Sequence, residues 1–216
     1  MPELTPELVL RAYGLGYFPM AQSRDDPELF WLDPGMRGIL PLDKFHVSRS
    51  LARTILADHF SVRIDTAFEQ VMRACAAARP GHPDSWINEQ IIDLYTELFE
   101  QGHGHCVECW QDGRLAGGVY GLQIGAAFFG ESMFSRARDA SKVALSHLAG
   151  RLRHGGFQLL DTQFLTPHLG RFGGVEIPRA RYHQLLRRAI NSSADFYSLP
   201  DPCCGRDVLQ SITQTS

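Results

Sequence analysis

AAFFGESMFSRARDASKVALSHLAGRLRHGGFQLLDTQF, residues 126–164, decides the fold. Its first part, AAFFGES, is an apolar, aromatic run of strand length that follows Gly125. A helical spacing then starts near Asp139, runs through Ala144, Leu145, Leu148 and Leu152, and ends at His154-Gly155-Gly156. FQLLDTQF reads as a second strand. A strand, a helix and a strand in this order require a right-handed crossover between two parallel strands. Ligands of such sheets bind beyond the carboxyl ends of the strands. Those ends are GES and LDTQ, so Glu131, Asp161 and Gln163 are expected to approach one cleft. Glu131 is the most unusual of the three, because an unpaired carboxylate in an apolar run is costly to bury.

Working outward, HCVECWQDGRLAGGVYGL predicts two antiparallel strands turning at Asp112-Gly113, a favoured two-residue hairpin. Before it lie two helices. The first carries Phe68, Val71, Met72 and Cys75, with Asp65 as its cap and Pro80 beyond its end. The second carries Ile91, Tyr95 and Leu98, with Asn88 as cap and Gly102 as stop. After the crossover, Pro178 opens a basic amphipathic helix with Tyr182, Leu185, Leu186 and Ile190. The expected architecture is α/β (α+β), a mixed sheet flanked by helices. The first residues differ. Thr5-Pro6-Glu7 starts a helix that stops at Gly14 and Gly16, and the chain then turns repeatedly through proline, glycine and aromatic residues. A small N-terminal domain over 1–60 is expected, followed by a larger one over 61–216.

A chain of 216 residues with 44% hydrophobic and 21% charged residues is an ordinary globular composition, long enough for one large domain or two small ones. No apolar run reaches the roughly 18 residues of a membrane span, and MPELTPELVL has no basic cluster, so a cytosolic protein with reduced thiols is expected. The five cysteines form no spaced framework. The formal net charge of −3 argues against a non-specific nucleic-acid binder, although Arg136, Arg138 and Lys142 cluster locally. GHGHCVEC suggests a zinc site, but Cys106 and Cys109 fall on opposite faces of a strand, so no metal is expected. Cys203-Cys204 sits in a polar tail, expected to be unstructured. Neither a serine nucleophile elbow nor a phosphate loop is present.

Several ordered blocks carry a family resemblance. They are YFPM at 17–20, W-x-x-P-x-x-RGI-x-PL at 31–42, FHVSRSL at 45–51, SWI at 85–87, H-x-V-E-x-W at 105–110 and GG-x-YG at 117–121. FFGESMFSRARDASKVAL, LDTQ, His168-Leu169 and G-V-E-I-P-R at 174–179 follow. In this order the chain resembles, over nearly its whole length, the bacterial leucyl/phenylalanyl-tRNA–protein transferases. The resemblance implies transfer of leucine, phenylalanine or, less readily, methionine from aminoacyl-tRNA to the N-terminal amine of proteins beginning with Arg or Lys, which then enter N-end-rule degradation. It also implies a catalytic domain of the acetyltransferase type called GNAT and no cofactor or metal. A monomer is expected. Carried over by position, Asp161 and Gln163 match the proposed catalytic pair and Glu131 an acid near the aminoacyl group. Phe128, Gly130 and Met133 fall in the side-chain pocket, and Trp86 matches a tryptophan at the terminal adenosine. Thr162 stands where the family often has cysteine, and little effect is expected from it.

The chemistry is compatible with these residues. An aminoacyl ester is already activated, so the enzyme has mainly to orient two reactants and handle one proton. An apolar pocket discriminates by only about 1–3 kcal/mol per methylene, which suits a site taking more than one apolar side chain. Contacts to tRNA phosphates are expected from Arg136, Arg138 and Lys142, or from Arg73 and Arg79, and to be salt-sensitive. Two other readings are weighed. An acetyltransferase using acetyl-CoA would need a glycine-rich loop where SMFSRARDASK has no glycine. A non-catalytic RNA-binding module would have no use for Asp161 and Gln163.

Overall fold

The computed structural model describes residues 4–26, 28–78 and 84–213. Arg79 and Pro80 lie outside them. A seven-stranded sheet, ordered β4-β5-β6-β7-β8-β3-β9, forms the middle layer. Its strands are β3 (Met36–Ile39), β4 (Ser61–Ile64), β5 (Gly104–Gln111), β6 (Arg114–Ile124), β7 (Ala127–Ser135), β8 (Leu159–Gln163) and β9 (Val175–Pro178). Only β7 and β8 are parallel, joined by helix α5 (Ala140–His154) as the crossover requires. The remaining pairs are antiparallel, including the β5–β6 hairpin, where Asp112 and Gly113 both take the left-handed conformation. A separate two-stranded ribbon joins β1 (Phe18–Ala21) to β2 (Leu29–Leu32).

Helices cover both faces. One core packs α5 with α2 (Arg49–Leu56) and α8 (Gly205–Thr213) against Val107, Val119, Phe128 and Leu160. The other packs α1 (Pro6–Gly14), α3 (Phe68–Ala76), α4 (Glu89–Glu100) and α7 (Arg179–Ile190) against Cys106, Tyr120, Phe129 and Leu159. Cys106 and Cys109 therefore belong to opposite cores, as alternation along a strand demands. Among the described residues no group of His, Cys, Asp and Glu could hold a metal ion, and no helix is long and apolar enough to cross a membrane.

The sheet continues across the boundary expected near residue 60. β3 sits between β8 and β9, and Leu40, Leu42, Phe45, Leu51 and Ile55 fill the core under α5. Two further expectations are corrected. Asp65 does not cap α3, whose N-cap position is Ala67 and has no side-chain cap; the Glu108 carboxylate on β5 accepts from the Thr66 and Ala67 N–H groups at 2.7 Å just ahead of the helix. Asp65 instead accepts from Cys106 N–H and Tyr197 O–H and pairs with His105 at 2.8 Å. The polar segment after Cys203-Cys204 is not unstructured. It forms α8, whose Val208 and Ile212 are buried beneath α5 and whose start is fixed by Gly205 N–H donating to Asp58.

One irregularity matters for the site. Tyr120 lies opposite Ser132 and Gly121 opposite Gly130, so Glu131 has no partner on β6 and forms a bulge. Beyond it the alternation of β7 is reset, so that Met133 turns toward the core of Phe128 rather than that of Phe129. A Cβ at Gly121 would overlap the carbonyl oxygen of Phe129 and stand 2.5 Å from the Phe128 ring. Gly121→Ala is expected to destabilise by about 1–3 kcal/mol through overpacking at this bulge, read from the denaturant midpoint. An unchanged midpoint would show that the bulge does not depend on glycine there.

Candidate functional site

The pairing of β7 with β8 runs from Ala127–Leu159 to Phe129–Asp161 and stops. Past that point the two strands separate, and a cavity of about 670 Å³ opens between them. Its apolar wall is Val119, Met133, Leu145, Leu148, Leu160 and Leu169. Aromatic lining comes from buried Phe18, half-buried Trp86 and exposed Phe164, with Phe18 and Phe164 edge-to-face at 5.7 Å. Gly130, Glu131, Thr162 and Gln163 line it as well. Of the residues expected at the site, the cavity unites Glu131, Gln163, Gly130, Met133 and Trp86. Phe128 is not among its walls: it is fully buried and stacked on Phe196 at 5.8 Å, because it lies where β7 and β8 are still paired, before the cavity opens.

Glu131 is placed by the bulge and by a chain of hydroxyls. Tyr13 of α1 donates to its Oε1 at 2.7 Å, and Tyr13 and Tyr95 of α4 share a 2.6 Å hydrogen bond. Burial pushes the Glu131 carboxyl up to about 8, with a contribution from the negative charge of Asp161, while the Tyr13 hydroxyl and Arg37 pull the other way. Burial also raises both tyrosines well above their ordinary range, so they stay protonated. The Gln163 amide faces Glu131 from β8. With its NH2 toward Glu131 the separation is 3.3 Å. Turned over, the NH2 donates to the carbonyls of Gly130 at 2.9 Å and Thr162 at 3.1 Å, leaving its oxygen beside the carboxyl. The second orientation suits a protonated Glu131, which then has a proton to donate.

Asp161 does not reach the cavity. It is fully buried, and four donors saturate it: Arg37 Nε at 2.9 Å, Arg37 Nη2 at 2.6 Å, the Tyr182 hydroxyl at 2.8 Å and the Gln163 backbone N–H at 2.9 Å. Arg37 is itself fully buried, clamped between the rings of Phe18 at 4.5 Å and Tyr182 at 4.4 Å, and donates to the Gly16 carbonyl at 3.0 Å. The N–H bond to Asp161 holds Gln163 in the left-handed conformation, φ 56°, unfavourable for a residue other than glycine. Asp161 and Gln163 are thus one unit, joined by the Asp161 carboxylate and the Gln163 backbone N–H rather than by the Gln163 side chain.

Sequence reasoning does not single out Arg37, Tyr13, Tyr95 or Tyr182 as site residues. Arg37 left only a faint signal, a single cation between apolar and glycine residues in MRGI, because the buried aspartate it serves lies 124 residues away. The tyrosines had none, since their partners are 82 or more residues away from Tyr13, or reached through the fold. Thr162, from which little effect is expected, lines the cavity, and its hydroxyl has no hydrogen-bond partner among the described residues. His168 Nε2, also in the wall, is likewise unpartnered.

The basic residues divide. Arg136 lies over the Phe134 ring at 5.3 Å, Arg138 is 97% exposed, and Lys142 holds Asp139 at 2.6 Å, all on the loop and first turn that follow β7. Arg73 is engaged by Glu69 at 2.7 Å and Glu89 at 3.0 Å, which neutralises it.

Comparison with known proteins identifies the family. The family model "Leucyl/phenylalanyl-tRNA protein transferase" matches residues 39–187, and that of the family's N-terminal domain matches residues 2–35. A leucyl/phenylalanyl-tRNA–protein transferase of Paramagnetospirillum magneticum is 62% identical over 196 residues, covering 91% of this chain and 94% of that protein. That of Nitrobacter winogradskyi is 56% identical over 216 residues, covering 99% and 96%. That of Maricaulis maris is 55% identical over 210 residues, covering 97% of each. The chain belongs to the leucyl/phenylalanyl-tRNA–protein transferase family.

Proposed function

We propose that this protein transfers leucine, phenylalanine and, less readily, methionine from aminoacyl-tRNA to the N-terminal amine of cytoplasmic proteins that begin with Arg or Lys, marking them for N-end-rule degradation. The observation that carries this reading is the cavity between the diverging ends of β7 and β8, apolar along one side and acidic at one point. Met133, Leu145, Leu148 and Leu160 offer the aminoacyl side chain a hydrophobic pocket of the size usual for small ligands. Such a wall separates Leu from Phe or Met only weakly, in keeping with several donors. Trp86 in the lining gives the terminal adenosine a surface to stack on.

The ester then lies near Gln163 and Glu131, where the acceptor amine attacks its carbonyl carbon. Gln163 orients that amine, and Asp161, which cannot touch it, holds Gln163 through the backbone. Arg136 and Arg138, on the loop that follows β7, and Lys142, which shares Asp139 with Arg138, suit the tRNA phosphates; Arg73, held by two glutamates, suits them less. The test is transfer of labelled phenylalanine from Phe-tRNA to a peptide beginning with Arg. We expect activity from the native chain and a loss of about 10²-fold in Gln163→Ala, whose positioning amide is gone. A native chain inactive with both Phe-tRNA and Leu-tRNA would overturn the proposal.

A further inference from the structure

We propose that the Glu131 carboxylate takes the proton from the attacking amine and passes it to the departing ribose oxygen. The inference rests on the transferase reading above and assigns the proton within it. As the amine nitrogen bonds to the ester carbonyl carbon, it becomes positively charged and must lose a proton. Glu131 accepts that proton and becomes a carboxylic acid. When the carbon–oxygen bond to the ribose breaks, the electron pair stays on that oxygen, and the acid returns the proton to it. The carboxylate is regenerated, and no other reactant is needed.

Three observations favour Glu131. It is the carboxyl group in the cavity wall, presented there by a bulge that exempts it from strand pairing. Bulges are a usual device for re-aiming one side chain at a site. Asp161, the alternative base, is ruled out by its partners. Its two oxygens already accept four hydrogen bonds, two of them from a buried guanidinium, and it has no exposure to the cavity. Gln163 is an amide and holds no proton reversibly near neutral pH. Glu131 also has a proton affinity near that of the reacting amine, whose ordinary pKa is about 8. Matched affinities are what a shuttle that both accepts and returns a proton needs.

The surroundings isolate this titration. Glu131 faces Tyr13 on α1, with Tyr95 on α4 and Tyr120 on β6 behind, Asp161 and Gln163 on β8, and Arg37 on β3. Burial keeps the three tyrosines neutral. Tyr13 is a positioning residue: its hydroxyl stabilises the carboxylate form, so its removal must make Glu131 harder to ionise.

The experiment is the pH profile of kcat/KM between pH 6 and 9, using Phe-tRNA and a peptide beginning with Arg. Two groups must be unprotonated in the native enzyme, the amine and Glu131. The logarithm of kcat/KM is expected to climb with a slope approaching about two and to level off above about pH 8. Glu131→Gln is expected to lose about 10²-fold at pH 8 and to climb with a slope of about one, the amine alone. Tyr13→Phe keeps the steep limb but moves it up by about half a pH unit, because only one of the two groups shifts, and delays the levelling-off to about pH 9. Thermal unfolding verifies that both variants are folded; if Glu131→Gln is not, the Tyr13→Phe displacement carries the test. Equal slopes in the native enzyme and Glu131→Gln, or an unmoved limb in Tyr13→Phe, overturn the assignment while leaving the transferase reading intact. A native enzyme inactive at every pH overturns that reading itself.

Discussion

Arg37→Met is expected to cost about 3–5 kcal/mol of stability, because it leaves the Asp161 carboxylate buried with its strongest partner gone. For a chain of 216 residues that corresponds to a fall in Tm of roughly 10–15 °C. The methionine fills the aliphatic volume between Phe18 and Tyr182, so lost packing is the smaller part of the effect. Asp161 then retains only the Tyr182 hydroxyl and the Gln163 N–H. Arg37→Lys is no conservative replacement, since an ammonium cannot make the paired Nε and Nη2 contacts or stack between two rings. The double variant Arg37→Met, Asp161→Asn removes both charges; its amide oxygen accepts from the Gln163 N–H and its NH2 can donate to the Tyr182 hydroxyl oxygen. It is expected to recover at least half of the loss, which a double-mutant cycle measures. A Tm within about 2 °C of the native value in the single variant would mean that the pair contributes little. The same variant also tests the role given to Asp161. If that residue acts by holding Gln163 in its left-handed conformation, activity in folded Arg37→Met falls with little change in the slope of the pH profile.

How far the sequence disclosed this site follows from the range of each interaction. Local signals were sufficient for the crossover, the hairpin and the capped helices, since each depends on residues within one turn or one strand. The element order from α3 to α7 was legible for that reason, apart from the four-residue elements α6 (Pro167–Gly170) and β9, too short to show a period. β3 was not legible as a sheet member: MRGI is four residues long, and its partners are more than 120 residues away in β8. With β3 unplaced, Arg37 could not be set against Asp161, and the aspartate seemed free to act on substrate. Phe128 failed differently. It faces the same side of the sheet as Met133, but it sits where β7 is still paired with β8, short of the point at which the strands part, so its ring packs on Phe196 and not in the cavity; no pattern in FFGESMFS announces either that point or the bulge at Glu131. The oddity of a carboxylate in that run was the visible trace of it.

That carboxylate also leads to the second large effect, on stability. Its folded-state proton affinity, near 8, lies above the value of about 4.3 expected in an unfolded chain. The folded protein therefore holds this proton through a pH range in which the unfolded chain has released it. Stability from this group is fully present below about pH 4.3, declines as pH rises, and is lost once pH passes about 8. The whole shift would amount to on the order of 5 kcal/mol, but Glu131 is only partly buried and lines the open cavity, so about 2–3 kcal/mol is expected. The amide introduced by Glu131→Gln has the same shape as the carboxyl group, can still accept from Tyr13, and does not titrate. The variant should match the native protein near pH 4.5 and exceed it above pH 8 by roughly 5–10 °C in Tm. Equal Tm differences at both pH values would show that Glu131 ionises in the fold as easily as in water. The expected outcome ties the two properties together: the substitution that removes the proton shuttle makes the protein more stable at the pH where it works best. A site that keeps a costly carboxylate in an apolar wall does so for its chemistry and against its stability.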